Sequence, residues 1–156
     1  MKNSLKKIAV IVMIGATMLS LAACSKGSSA KKITKEEFIS KAEKEGYQIM
    51  DGDLETDNMT VSVVAYNSDG SVLLQYTNFT SKDSAKLYFD SMKDVAEDSK
   101  KSGEIKKLST SSSKIEATDD TNYTVFVYAE DMIVIAITDA DKSSAADSAL
   151  KTIGVL

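Results

Sequence analysis

The side chains able to do chemistry in this chain are few in kind. Cys24 is the only thiol, histidine and tryptophan are absent, and by letter count so are arginine and proline. Lacking histidine, the chain has no ordinary general base near neutral pH. Lacking arginine, it has no bidentate clamp for phosphate or carboxylate. Imidazole and paired-thiolate metal sites cannot be built. What remains is carboxylate, hydroxyl and ammonium: 23 Asp and Glu, abundant serine and 19 lysines. A Ser–Lys pair could run acyl transfer, but no motif singles one pair out. Two carboxylates could hydrolyse a glycoside, although in so acidic a chain two neighbouring carboxylates are expected without function.

Asp51-Gly52-Asp53-Leu54-Glu55 alternates its oxygens as the first ligands of a calcium loop would, so Asp51, Asp53 and Glu55 are weak metal candidates. Glycine, however, stands second in that stretch, not sixth, and Ser62 takes the twelfth place, where a bidentate Glu belongs. A solvated turn rich in Asp, Gly and Asn accounts for it more simply. No glycine-rich phosphate loop follows a strand. The expectation is a domain without a catalytic constellation, a cofactor or a metal.

The surroundings of the thiol say more. Lys2, Lys6 and Lys7 precede the apolar run Ile8–Leu19, broken only by Gly15 and Thr17, and the small Ala22 and Ala23 lead into Cys24. A basic start, a short apolar core and a small-residue cleavage site are the layout of a secretory signal peptide. Ile8–Ala23 is shorter than the roughly 20 residues an upright membrane-spanning helix needs. Leu21-Ala22-Ala23-Cys24 also resembles the lipobox of bacterial lipoproteins. That resemblance implies cleavage between Ala23 and Cys24 and a diacylglyceryl group on the Cys24 sulfur, with fatty chains such as palmitate. Two chains hold firmly because each buried methylene contributes about 0.8 kcal/mol. An ordinary secretory signal with an incidental cysteine, or an uncleaved anchor helix, are the other readings. With one cysteine, no intramolecular disulfide can form.

The expected organisation is a signal peptide over 1–23, a lipidated Cys24 with a flexible tether over 24–32, and one domain over 33–156. That domain would sit at the extracytoplasmic face of the cell membrane. All 23 acidic residues follow Cys24 and three of the 19 lysines precede it, so the mature side chains sum to 16 − 23 = −7. Such a surface is a poor match for nucleic acid. Ser25–Lys32 reads as a polar tether with an end-to-end distance of roughly 15 Å.

The elements that position everything else are readable in order. Thr34-Lys35-Glu36-Glu37 is a capping box, with Ile33 and Phe38 as its hydrophobic staple, and Gly46 is placed to end that helix. Tyr47–Met50 reads as a short strand. Thr60–Tyr66 and Ser71–Phe79 flank Asn67-Ser68-Asp69-Gly70 as a hairpin, with Val72, Leu74 and Tyr76 on one pleat face and Leu73, Gln75 and Thr77 on the other. Ala85, Tyr88, Phe89, Met92, Val95 and Ala96 recur at helical spacing and predict the longest helix, about Lys82–Lys100. Glu104–Leu108 and Lys114–Ala117 are weaker strands around a polar Ser109–Ser113 loop. Tyr123–Ala129 and Met132–Thr138 form a second hairpin, the latter apolar on both faces and therefore central. Asp139 or Asp141 is expected to cap a last helix closed by Gly154.

Val61–Val95 and Tyr123–Val155 repeat one order: strand, tight turn, strand, polar cap, helix. Lys82-Asp83-Ser84-Ala85 even matches Lys142-Ser143-Ser144-Ala145. Duplication and two similar packing solutions both explain this. The order α-β-β-β-α-β-β-β-α predicts an α+β two-layer sandwich, a twisted and largely antiparallel sheet with its helices mainly on one face. The outer face, carrying Thr124, Phe126 and Tyr128, would be solvated or a docking surface. The architecture also resembles small Gram-positive lipoproteins with an α-β-β-α-β-β-α pattern, a resemblance that supplies no site residues.

Two functional readings follow. One is a non-catalytic binding module of the cell envelope, taking a peptide, a glycan or another protein on exposed aromatics such as Tyr66, Tyr76, Phe126 and Tyr128, or on a sheet edge. The other is a small envelope hydrolase using carboxylates.

Overall fold

The computed structural model describes residues 30–52 and 58–156, and of Asp51 and Val61 the backbone alone. Helix α1 (Lys35–Lys44) starts as its capping box dictates. The Thr34 hydroxyl accepts from the Glu37 N–H at 3.2 Å, and the Glu37 carboxylate accepts from the Thr34 N–H at 2.9 Å. Two orphan donors of the first turn are thereby satisfied. Gly46, with φ +79°, turns the chain into β1 (Gln48–Asp51).

The first hairpin joins β2 (Met59–Tyr66) to β3 (Val72–Phe79). Its turn is held by side chains: Asn67 accepts from the Val72 N–H and Asp69 from the Ser71 N–H, each at 2.9 Å. Helix α2 (Lys82–Ser102) follows, capped by the Ser81 hydroxyl. Then come β4 (Lys107–Thr110), β5 (Lys114–Thr118), β6 (Asn122–Ala129), β7 (Met132–Asp139) and α3 (Ser143–Ile153).

Among the described residues seven strands form one antiparallel sheet in the order β1-β2-β3-β7-β6-β5-β4. The α+β class and the antiparallel sheet are as expected, and β7 lies at its centre. Both weak strand segments are real strands, so the second half carries four strands and not three. Ser109 and Thr110 belong to β4, leaving a turn of Ser111–Ser113. Neither Asp139 nor Asp141 caps α3. Lys142 occupies the cap without a side-chain bond and pairs instead with Asp139 at 2.9 Å.

The layering differs from a two-layer sandwich. Phe38 and Ala42 of α1, with Ala146, Leu150 and Ile153 of α3, pack on Val63, Leu74, Tyr76, Val125, Val134 and Ala136. Ala85, Phe89, Met92 and Ala96 of α2 pack on the reverse face, over Ile115, Phe126, Ile133 and Ile135. Two helices thus share one face, and the longest covers part of the other. The reason is β7: Met132–Ala136 is apolar on both pleat faces, and burying both requires cover on both.

The repeat is visible as a local two-fold. Lys82 and Lys142 are separated by 142 − 82 = 60 positions, and the pair facing each other across β3 and β7, Gln75 and Ile135, has that same spacing. The correspondence ends at the helices, which leave to opposite faces.

The boundary of the folded body also differs from expectation. Ala30 packs against the first core cluster, the Lys31 N–H donates to the Val155 carbonyl at 3.0 Å, and Lys32 pairs with Asp131. These residues belong to the body, which therefore includes Ala30–Lys32, ahead of its expected start at residue 33.

Candidate functional site

The uneven cover of the α2 face creates the most distinctive surface of the molecule. Helix α2 packs on β3, β7, β6 and β4 and leaves one corner of the sheet, where β1, β2 and the start of β3 meet. Register places Met50 opposite Val64, and Tyr66 opposite Leu73. In a pleated sheet these four side chains point to one face, and none belongs to either core cluster. Met50 is 50% exposed, which is large for an apolar residue in a strand. Val64, Tyr66 and Leu73 are half-buried.

This corner is bordered by a polar inlay. Gln75 pairs with Val64 across the hairpin, and its amide donates to the Ser62 hydroxyl at 3.3 Å; Ser62, Gln75 and Thr77 are all buried. Gly52 approaches so closely that a Cβ there would stand 2.6 Å from the Ser62 Oγ. Next to it all, β1 is a strand of four residues, terminal in the sheet among the described residues, none of which pairs with its outer side. A free strand edge beside an apolar strip is the layout that accepts an added strand.

Of the aromatic candidates, Tyr66 alone lies in this corner. Tyr76 is a core residue on the opposite face: its ring packs on Phe38 at 5.4 Å and its hydroxyl donates to the Ile33 carbonyl at 3.3 Å. Burial, with the negative field of Asp131, Glu36 and Glu37, pushes its pKa up to about 12. Phe126 is buried beneath α2, and Tyr128 stacks on Phe89 at 5.4 Å. The expectation that Thr124, Phe126 and Tyr128 form an open face is therefore overturned, because α2 covers that half. Met50, Val64 and Leu73 are the corner residues that do not appear among the aromatic candidates. Their signal was strand alternation: each is apolar on the pleat face opposite the main core.

Of the metal candidates, Asp53 and Glu55 lie outside the described residues, as does the side chain of Asp51. Cys24, Ala23 and the leader lie outside them too. Among the described residues no group of three Asp, Glu, Cys or His could hold a metal ion, and no helix is long and apolar enough to cross a membrane.

One further carboxylate is held in a side-chain cluster, on the face shared by α1 and α3. The Tyr123 hydroxyl donates to Glu116 at 3.1 Å, and Lys114 pairs with the same carboxylate at 2.6 Å. Burial raises the Tyr123 pKa, and the charges of Glu116 and Asp147 raise it further. Burial also pulls Glu116 upward, but the Lys114 ammonium and the Tyr123 and Ser109 hydroxyls outweigh it and leave its pKa below the usual range. An ionised carboxylate locked by a lysine and a phenol is suited to holding β5 against β6, and is poorly placed to give up a proton.

No family model and no curated protein matches this chain. Among solved structures it is similar to a GTP binding regulator from Thermotoga maritima, at 12% identity and a TM-score of 0.45, over 78% of this chain and 84% of that one.

Proposed function

We propose that this chain is an extracytoplasmic lipoprotein, anchored through Cys24, whose body is a non-catalytic binding module. Its ligand is an extended segment of another envelope protein, laid along β1 with apolar side chains over Met50, Val64, Tyr66 and Leu73. The observation that carries the reading is the half-exposed Met50 on the terminal strand among the described residues, continuous by register with an apolar strip that none of the described helices covers. Backbone pairing along the edge would supply affinity, and alternate side chains would supply selectivity.

The test is capture from intact envelopes by the immobilised mature body, followed by photo-crosslinking from position 50. Met50→Asp and Leu73→Lys should each abolish the capture while leaving thermal stability nearly unchanged. Capture that survives both substitutions would remove this corner as the binding surface. Mass spectrometry of the native amino terminus tests the anchor separately.

A carboxylate hydrolase has one observation in its favour. Glu116 and Asp147 both act on the Tyr123 hydroxyl, and Asp147 Oδ1 is enclosed without a hydrogen-bond partner among the described residues. Glu116, held ionised by Lys114, would be the base or nucleophile, and Asp147 the second carboxylate. Loss of glycan or peptide hydrolysis in Asp147→Asn, with stability retained, would establish that reading.

A further inference from the structure

The point at which the chain leaves the folded body is held from several directions. Ala30 packs on the core, and the Lys31 N–H reaches the Val155 carbonyl at 3.0 Å. Lys32 pairs with Asp131, and Ile33 is 1% exposed with its carbonyl bound by Tyr76. Of these partners, Asp131 marks one end of the sheet, and Tyr76 lies three residues before the finish of β3 at that end. Asp131 lies in the turn between β6 and β7, and its carbonyl accepts from the Phe79 N–H at the finish of β3 at 2.7 Å. Helix α2 starts there too, its Lys82 paired with Glu130 at 3.1 Å. The Asn67–Ser71 turn, the start of β3 and the Tyr66–Leu73 pair mark the opposite end.

We propose that the body stands end-on upon the bilayer: the Asp131 end faces the lipid headgroups, and the Asn67–Ser71 hairpin with the Met50–Leu73 corner is turned away. This inference rests on the anchoring of Cys24 proposed above. Cys24 and Ala30 are separated by 30 − 24 = 6 backbone steps, which span at most roughly 21 Å when fully extended. The eight residues of β3 alone cover about 26 Å. So short a link cannot wrap the length of the body to bring the hairpin end down. Of the carboxylates at this end, Glu130 and Asp131 are each matched by a lysine, Lys82 and Lys32. Glu36, Glu37 and Asp83 lie in the first turns of the two helices that start there. The orientation therefore rests on the exit point and the reach of the link, not on charge. The partner surface at this end is thus the lipid headgroup layer, and the binding corner is left free for a soluble or wall-borne segment.

The test uses the full lipidated protein in vesicles of mixed zwitterionic and anionic phospholipid carrying a headgroup quencher. A fluorophore is attached through Asp83→Cys, in the exposed first turn of α2, or through Ser68→Cys, in the exposed hairpin turn. Quenching is expected to be several-fold greater from position 83 than from position 68. Equal quenching, or the reverse order, in protein that floats with the vesicles would overturn the orientation while leaving the anchor intact. Protein that does not float, with an unmodified Cys24 by mass, would overturn the anchor and the orientation together. Tyr76→Phe combined with Asp131→Asn, which loosens the exit point, should narrow the difference between the two positions without detaching the protein.

Discussion

The Tyr76 hydroxyl donates to the Ile33 carbonyl at 3.3 Å, across 43 residues of sequence. This bond ties the segment before α1 to the middle of the sheet and helps fix the place where the chain leaves the body. Tyr76→Phe keeps the ring packing on Phe38 but leaves a buried carbonyl without its donor. The expected cost is about 1–3 kcal/mol, read from chemical denaturation.

The same residue predicts behaviour in alkali. The folded pKa of Tyr76 stands at about 12 against 10.0 for the free side chain, so the folded state keeps a proton that the unfolded state releases. Its contribution is fully present below pH 10 and is lost as pH rises toward 12. Stability should therefore fall over that window, and Tyr76→Phe should make the fall shallower by about one proton. A pH series of denaturation midpoints for both proteins measures this. Equal slopes would show that the phenol does not titrate with folding.

Phe89 fixes α2 to the sheet, 1% exposed and stacked on Tyr128. Phe89→Ala should destabilise by about 3–5 kcal/mol and expose Phe126 and Ile135 to an apolar dye. If α2 were a dispensable cover, the substitution would cost less than about 1 kcal/mol, as exposed positions do.

Glu116 predicts the acid limb. Its folded pKa lies below the ordinary glutamate value of 4.5, because Lys114 and the Tyr123 and Ser109 hydroxyls outweigh burial. The folded state thus binds a proton less readily, and the associated stability is present above pH 4.5 and lost as pH falls through the depressed value. Glu116→Gln should lower stability at neutral pH and flatten the loss on acidification. Parallel acid titrations of the two proteins would show the group to be inert.

Gly154 closes α3 at φ +82°, and a Cβ there would stand 2.7 Å from the Lys41 ammonium, which donates to the Ile153 carbonyl at 3.0 Å. Gly154→Ala should cost about 1–2 kcal/mol from the left-handed backbone, plus the displaced lysine. Lys41→Met in the same background should recover only the second part, by thermal denaturation.

Much of this fold was legible because its signals are local. Thr34 and Glu37 satisfy each other's amides wherever the helix goes, and the Asn67–Ser71 turn closes through its own side chains. The alternation of Val72, Leu74 and Tyr76 against Leu73, Gln75 and Thr77 follows from the pleat. Even the position of β7 could be read, since Ile133, Val134 and Ile135 leave it no solvent face. The candidate binding corner was legible only in part. Alternation placed Leu73 opposite the main core, but exposure depends on what crosses above it.

The sequence by itself determined the order of helices and strands after residue 33, the α+β class and the apolar face that most of them must bury. The tertiary structure alone decided which side of the sheet α2 takes. An amphipathic stripe specifies that Phe89 and Met92 need apolar partners, but Ile133 and Val134 offer such partners on opposite faces. Only the packing of the whole chain, with α1 and α3 already filling one side, selects between them. That choice buries Phe126, shelters Tyr128 and leaves Met50, Val64, Tyr66 and Leu73 uncovered by any of the described helices.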